Sequence, residues 1–167
     1  EKKIVEITTF RTEHGYSDKR RPDKVEWGET IEEDLARRDF TSNAIAFKPP
    51  SSFIDPFEGQ KDIEQKLLRA VGDPAKRFKE DALRLLRAIR LATTLNFTIE
   101  ENTWNELVKD ASLITHIAHE RIHDELLKIL SSDNSYEGIL LLQKSTLLSY
   151  IIPELLEGVG VSQERPG

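Results

Sequence analysis

The spacing of apolar side chains changes at Pro49-Pro50, and this change constrains the fold more than any other feature of the sequence. Before it, residues 3–10 are rich in β-branched side chains and fit the two-residue repeat of a strand. After it, apolar residues recur about every 3.6 positions, as in amphipathic helices. The sequence therefore predicts an α+β chain, with a sheet-containing part over residues 1–48 and an entirely helical part over residues 56–157.

Local signals divide the two parts further. Thr30 and Glu33 stand at the spacing of a capping box, which predicts a short helix to about Arg38. Residues 11–30 hold Gly, Pro and many charges, which predicts a long mobile loop, and residues 42–48 predict a second strand. The helices predicted after Pro50 cover residues 60–71, 76–96, 100–111, 119–131 and 135–148.

Composition excludes several classes of protein. The 167 residues contain no cysteine, which rules out disulfides, thiol nucleophiles and cysteine-ligated zinc and is compatible with a cytoplasmic protein. No apolar run approaches the roughly 20 residues that span a bilayer, so no membrane segment is expected. A net charge of -6 argues against a simple basic clamp for nucleic acid. The charged, strand-like start without methionine suggests a fragment of a longer protein.

The predicted helix over residues 76–96 carries the most informative polar side chains. Asp81, Arg84, Arg87 and Arg90 follow one another at steps of three, so they sweep across one side of the helix. By itself this pattern has two interpretations. It is either a solvated face with ion pairs such as Glu80 to Arg84, or a set of groups that contact a ligand.

Four segments, one of them within this helix, together favour the ligand interpretation. They are Arg37-Arg38-Asp39-Phe40-Thr41-Ser42-Asn43-Ala44, Asp55-Pro56-Phe57-Glu58-Gly59, Glu80-Asp81-Ala82-Leu83-Arg84-Leu85-Leu86-Arg87 and Glu120-Arg121-Ile122 with Glu125-Leu126-Leu127-Lys128. In order and spacing they resemble class II template-independent RNA nucleotidyltransferases, the family of tRNA CCA-adding enzymes and bacterial poly(A) polymerases. The resemblance implies the end of a catalytic head over 1–48, a helical neck for base recognition over 49–115, and the start of a helical body over 116–167.

The resemblance also implies roles for individual residues. Asp81 and Arg84 would act as a protein template for the base of CTP or ATP. Cytosine and adenine both present an amine beside an unprotonated ring nitrogen, which suits a carboxylate acceptor and a guanidinium donor. Arg38, Arg87 and Arg90 would contact the nucleotide, for example its phosphates. Asp39 and Asn43 either brace the turn or contact the ligand.

The family's reaction is the attack of an RNA 3′-hydroxyl on the α-phosphate of CTP or ATP, with two Mg²⁺ ions and the tRNA 3′ end as acceptor. The family's Asp-x-Asp metal ligands lie upstream and are not in this sequence. Glu6 is either a third active-site carboxylate or an ordinary strand glutamate.

Three alternatives stay open. Two lie within the family: a poly(A) polymerase, or an enzyme that adds only CC or only A. The third is a non-catalytic RNA- or nucleotide-binding module. His116, His119 and His123 superficially suggest a metal site or an HD phosphohydrolase, but the only other histidine is His14 and the surrounding residues match the nucleotidyltransferase helix.

Overall fold

A computed structural model describes residues 11–14, 24–27 and 30–161 of the chain. It has the predicted α+β architecture, in which helices predominate and the strands form three small two-stranded sheets. The strand predicted over residues 3–10, and with it Glu6, lies outside the described residues. Among the helices that are described, none is both long and apolar enough to cross a bilayer.

The first sheet corrects the loop predicted over residues 11–30. Strand β1 (Arg11–His14) pairs antiparallel with β2 (Lys24–Trp27), and Arg11 lies opposite Trp27. The loop prediction is wrong for these two segments. Thr12, Val25 and Trp27 are residue types that favour strands, and that preference outweighs the Gly, Pro and charge content around them.

The short first helix agrees with the prediction, whereas the strand after it is shorter than predicted. Helix α1 (Ile31–Ala36) begins at Thr30, whose side chain accepts a hydrogen bond from the backbone N–H of Glu33 at 3.3 Å. Instead of a strand over 42–48, a 3₁₀ turn (Thr41–Asn43) precedes β3 (Ala46–Lys48). β3 pairs antiparallel with β4 (Ser52–Ile54) across a cis Pro49-Pro50 bond.

The rest of the described chain is mostly helical, but not entirely. Its elements are α2 (Gly59–Glu64), β5 (Leu67–Leu68), α3 (Pro74–Glu80), α4 (Leu83–Leu95), β6 (Thr98–Ile99), α5 (Glu101–Lys109), a 3₁₀ segment (Ala111–His116), α6 (His119–Leu130), α7 (Ser135–Lys144), α8 (Leu147–Ile151) and a last 3₁₀ segment (Pro153–Gly158). β5 and β6 pair in parallel, so the prediction of an all-helical segment over 56–157 is wrong. Lys66 and Asn96 have positive φ and precede the two strands, which lets the chain leave α2 and α4 and pair.

The predicted helix over 76–96 is two helices, with the break at Asp81. This residue has an extended backbone (φ −144°, ψ 104°), and its Oδ1 accepts a hydrogen bond from the backbone N–H of Leu83 at 3.0 Å. A carboxylate that binds a free N–H at a helix start acts as a cap. Asp81 therefore stands at the entrance to α4 instead of on its surface.

Helix α4 is the centre of the main core. Its apolar face, which includes Leu85, Leu86 and Ile89, is fully buried and packs with residues of α5, α6, α7 and α8. Gly138 of α7 permits a close approach, because a Cβ there would lie 2.5 Å from the Ile129 side chain. This packing presents the opposite, arginine-bearing face of α4 towards the turn after α1. The predicted domain boundaries at residues 48 and 115 stay predictions.

Candidate functional site

A polar cleft of about 440 Å³ lies where the turn after α1, the start of α4 and helix α6 meet. Its lining residues are Arg37, Arg38, Asp39, Asn43, Asp81, Leu83, Arg84, Arg87 and Arg121. Five arginines against two aspartates make the cleft cationic despite the chain's net negative charge, which suits an anionic ligand. The structure thus brings together four of the predicted site residues: Arg38, Asp81, Arg84 and Arg87.

Asp81 is held from two sides. Besides the Leu83 N–H on Oδ1, Arg121 of α6 donates from Nη2 to Oδ2 at 3.0 Å and from Nη1 to Oδ1 at 3.5 Å. Each carboxylate oxygen has two lone pairs, so Oδ2 retains one acceptor site. The carboxylate is therefore oriented by the protein and can still accept a hydrogen bond from a ligand.

Arg84 is fixed in a similar way. Its Nη1 donates to Glu80 Oε2 at 2.8 Å and to the Arg77 carbonyl at 3.1 Å, and its Nη2 donates to the Arg37 carbonyl at 3.2 Å. These bonds use three of the five N–H groups of the guanidinium, and two remain for a ligand. The ion pair between Glu80 and Arg84, which the solvated-face interpretation predicted, is present. However, the two side chains are only 13% and 11% exposed, and Arg84 lines the cleft.

Asp39 fixes Arg87. Arg87 donates from Nε at 2.8 Å and from Nη2 at 2.5 Å to Asp39 Oδ2, while Asp39 Oδ1 accepts from the Phe40 N–H and from Asn43 Nδ2. Burial by itself would raise the pKa of Asp39, but the charge and hydrogen bonds of Arg87 outweigh it, so this pKa lies below its usual value. Asp39 and Asn43 therefore brace the turn, one of the two roles that the sequence left open.

Arg38 is the most accessible of the predicted cleft arginines. Its side chain is 47% exposed and donates to Asp34 Oδ2 at 3.1 Å, and the Asp34 carboxylate also holds Arg37. The Asp34 side chain is only 7% exposed, so the pair is half-buried and anchors Arg38 at the edge of the cleft. About half of the Arg38 side chain stays accessible to an anion there.

Arg90 does not line the cleft. Its Nε donates to Glu125 Oε2 of α6 at 2.5 Å, and Glu125 is buried. The step of three that carries Arg84 and Arg87 past the cleft turns Arg90 towards α6. The geometry gives no support to a nucleotide contact by Arg90, and that role stays a prediction, as does the role of Glu6 outside the described residues.

The sequence predicted four of the cleft residues, Arg38, Asp81, Arg84 and Arg87, but not the partners that hold them. Arg121 belongs to the segment Glu120-Arg121-Ile122, which resembled the family without a role for its arginine. Glu80 stood in a segment that resembled the family, but its only predicted role was that of a surface ion-pair partner. The opposite charge of Arg121 and Asp81 was a signal, but 40 residues separate the two. The exposed histidines His116, His119 and His123 belong to no potential metal cluster among the described residues.

Two family models match the chain. The model described as "Poly A polymerase head domain" matches residues 1–69, and the model described as "Probable RNA and SrmB- binding site of polymerase A" matches residues 96–158. Together they account for most of the chain and leave residues 70–95, which hold α3 and α4, between them.

Similar proteins and structures carry one recurring description. The chain is 50% identical over 134 residues to a CCA-adding enzyme of Ligilactobacillus salivarius, covering 80% of the chain and 33% of that enzyme. It is 44% identical over 152 residues to a CCA-adding enzyme of Geobacillus thermodenitrificans, covering 91% and 37%. The crystal structure of the Bacillus stearothermophilus CCA-adding enzyme in complex with CTP matches with a TM-score of 0.78 at 39% identity, covering 86% of the chain and 34% of that structure.

A CCA-adding enzyme in complex with ATP matches with a TM-score of 0.68 at 32% identity, covering 74% of the chain and 30% of that structure. The chain thus spans about a third of the length of the curated relatives that it matches.

Proposed function

The chain belongs to the poly(A) polymerase and CCA-adding enzyme family, and from this membership we propose that it reads the base of CTP or ATP during template-independent addition of C and A to the tRNA 3′ end. The observation that carries the proposal is the pair Asp81 and Arg84. Both line the cationic cleft, both are oriented by the protein, and each keeps hydrogen-bonding capacity for a ligand.

The polarity of this pair selects the base. Asp81 accepts from the exocyclic amine of cytosine or adenine, and Arg84 donates to the neighbouring ring nitrogen. Uracil and guanine place a carbonyl oxygen against the carboxylate and a ring N–H against the guanidinium, so both protein groups would lose their partners. Sites that leave buried polar groups unpaired reject the wrong ligand by orders of magnitude.

The arginines of the same cleft suit the triphosphate. Arg38 is half-exposed, and Arg87 is one-third exposed with N–H groups beyond those given to Asp39. A guanidinium stays charged at any working pH and its planar fork matches phosphate oxygens. Because phosphates carry no base identity, these two contacts would strengthen binding of every nucleotide equally.

Magnesium chemistry has no support from the described residues. In the family's reaction Mg²⁺ would activate the attacking hydroxyl and neutralise the leaving pyrophosphate. No cluster of three or more His, Cys, Asp or Glu side chains in the described part of the chain could hold a metal ion. We assign the residues of the cleft, such as Asp81 and Arg84, to binding and orienting the nucleotide. The tRNA partner and a cytoplasmic location belong to the same proposal.

The names of the relatives favour CCA addition over poly(A) synthesis, because the curated relatives at 44% to 50% identity are CCA-adding enzymes.

The test is nucleotide incorporation by the full-length protein on tRNA transcripts that lack one, two or three of the terminal residues. We expect CTP to add two residues, ATP to complete the end, and extension then to stop. Long tails from ATP alone would indicate a poly(A) polymerase, and binding without incorporation would indicate a non-catalytic module.

A further inference from the structure

Two ion pairs of opposite polarity join helix α6 to the segment that carries the base-reading pair. At one end Asp81 accepts from Arg121, and at the other Arg90 donates to Glu125. Arg121 and Glu125 are four residues apart, so they lie on the same face of α6. Helix α6 is therefore tied to the segment over residues 81–90 at two points, and the first of these is the carboxylate of Asp81.

Glu125 is unusually enclosed for a carboxylate. It is 4% exposed, its Oε2 accepts from Arg90 and its Oε1 accepts from Lys128 at 2.9 Å. Burial by itself would raise the pKa of Glu125, but the hydrogen bond from Lys128 and the charge of Arg90 outweigh it and hold this pKa below its usual value. The side chain is thus an ionised, doubly bonded contact in the interface between α4 and α6.

A buried ion pair is a poor device for stability alone. Its attraction does little more than offset the desolvation of the two charges, and apolar residues of similar size often stabilise a fold as well or better. Apolar residues such as Ile122 and Ile129 of α6 already pack into the shared core. What the charged pair adds is a directional contact that sets how α6 lies against α4.

From this geometry we infer that Glu125 is a positioning residue for base selection. Its ion pair with Arg90 holds α6 against α4, and this placement of α6 keeps Arg121 hydrogen-bonded to the Asp81 carboxylate. This inference rests on the proposed function of Asp81. Without Arg121, the Leu83 N–H alone orients the carboxylate, and it binds only Oδ1. Rotation about the last torsion of an aspartate is soft, so the open lone pair of Oδ2 would lose its fixed direction.

The experiment compares Glu125→Gln, Arg121→Ala and the double variant in the full-length protein. The measured quantity is the ratio of kcat/KM for CTP to that for UTP, with the melting temperature recorded alongside. Glu106→Gln is the matched control, because Glu106 pairs with an exposed lysine on α5 and does not line the cleft. We expect Glu125→Gln to lower the ratio about tenfold, as for one weakened hydrogen bond.

Non-additivity separates positioning from general destabilisation. The double variant should discriminate no worse than Arg121→Ala alone, because Glu125 acts through Arg121. The inference would be overturned if Glu125→Gln kept the wild-type ratio of kcat/KM for CTP to that for UTP while its melting temperature fell. It would also be overturned if the double variant lowered this ratio by the product of the two single-variant effects. If Glu125→Gln fails to fold, Glu125→Asp is measured instead, because it keeps the charge on a shorter side chain. The same ratio of kcat/KM for CTP to that for UTP then tests the inference. A wild-type protein that does not prefer CTP over UTP would instead refute the proposed function.

Discussion

Replacing Asp39 with asparagine should loosen the contact between the turn after α1 and helix α4. The asparagine keeps one acceptor oxygen but loses the charge, and its amide group must face either the Arg87 guanidinium or the Phe40 N–H, both of which are donors. Hydrogen bonds to charged groups contribute about 1.5–3 kcal/mol each, and two from Arg87 are affected. Because Arg87 is one-third exposed, water recovers part of this, and we expect a loss of about 2–4 kcal/mol.

Urea unfolding monitored by circular dichroism measures this loss, and thermal unfolding should show a decrease of about 5–15 °C for a chain of this length. Asp133→Asn is the matched control, since Asp133 is exposed and should tolerate the change. A double-mutant cycle with Arg87→Met should show strong coupling with Asp39→Asn. A loss below about 1 kcal/mol, or simple additivity in the cycle, would show that the ion pair does not join the two segments.

Three further predictions concern binding, packing and pH. Arg84→Ala should weaken both CTP and ATP by roughly 1–3 kcal/mol in equilibrium binding, and unchanged affinity would exclude a ring-nitrogen contact. Gly59→Ala should destabilise the fold by about 3 kcal/mol in urea unfolding, because its Cβ would lie 2.2 Å from the Thr41 carbonyl oxygen, whereas Gly158→Ala meets nothing within 4 Å and should be neutral. Since the pKa of Asp39 is lowered from 3.8, the stability advantage of the wild type over Asp39→Asn should hold above about pH 4 and vanish as the pH falls through the folded-state pKa; an advantage that instead shrank between pH 7 and 5 would contradict this.

The fold class and most helices could be predicted because their signals are local. Helices α5 and α6 each run for nine or more residues with one apolar face, so the 3.6-residue repeat locates them to within two residues. The helix predicted over 135–148 is instead two, α7 and α8, which are separated at Ser145 and Thr146. The pair β5 and β6 could not be predicted this way, because two-residue strands are too short to show a repeat and form only by tertiary pairing. The break at Asp81 was missed because the apolar repeat runs through it, although an aspartate is a common helix cap.

The candidate site was predictable in its residues and not in its contacts. Resemblance together with spacing selected Arg38, Asp81, Arg84 and Arg87, which share the cleft. Their orientation depends on partners far along the chain, such as Asp39 for Arg87 at a separation of 48 residues. The spacing of residues along the sequence does not show which side chains pair with each other across the fold. Arg90 was therefore placed with the cleft arginines, although its partner Glu125 lies in α6.

Base selectivity of Asp81→Asn tests the central claim most directly. The full-length variant is assayed for incorporation of CTP, ATP, UTP and GTP, with Arg38→Ala as the control for loss of phosphate binding. An asparagine can donate as well as accept, so UTP and GTP should be used far more readily relative to CTP and ATP, while Arg38→Ala should weaken all four nucleotides alike. If Asp81→Asn kept the preference for CTP and ATP, base selection would not reside in this cleft.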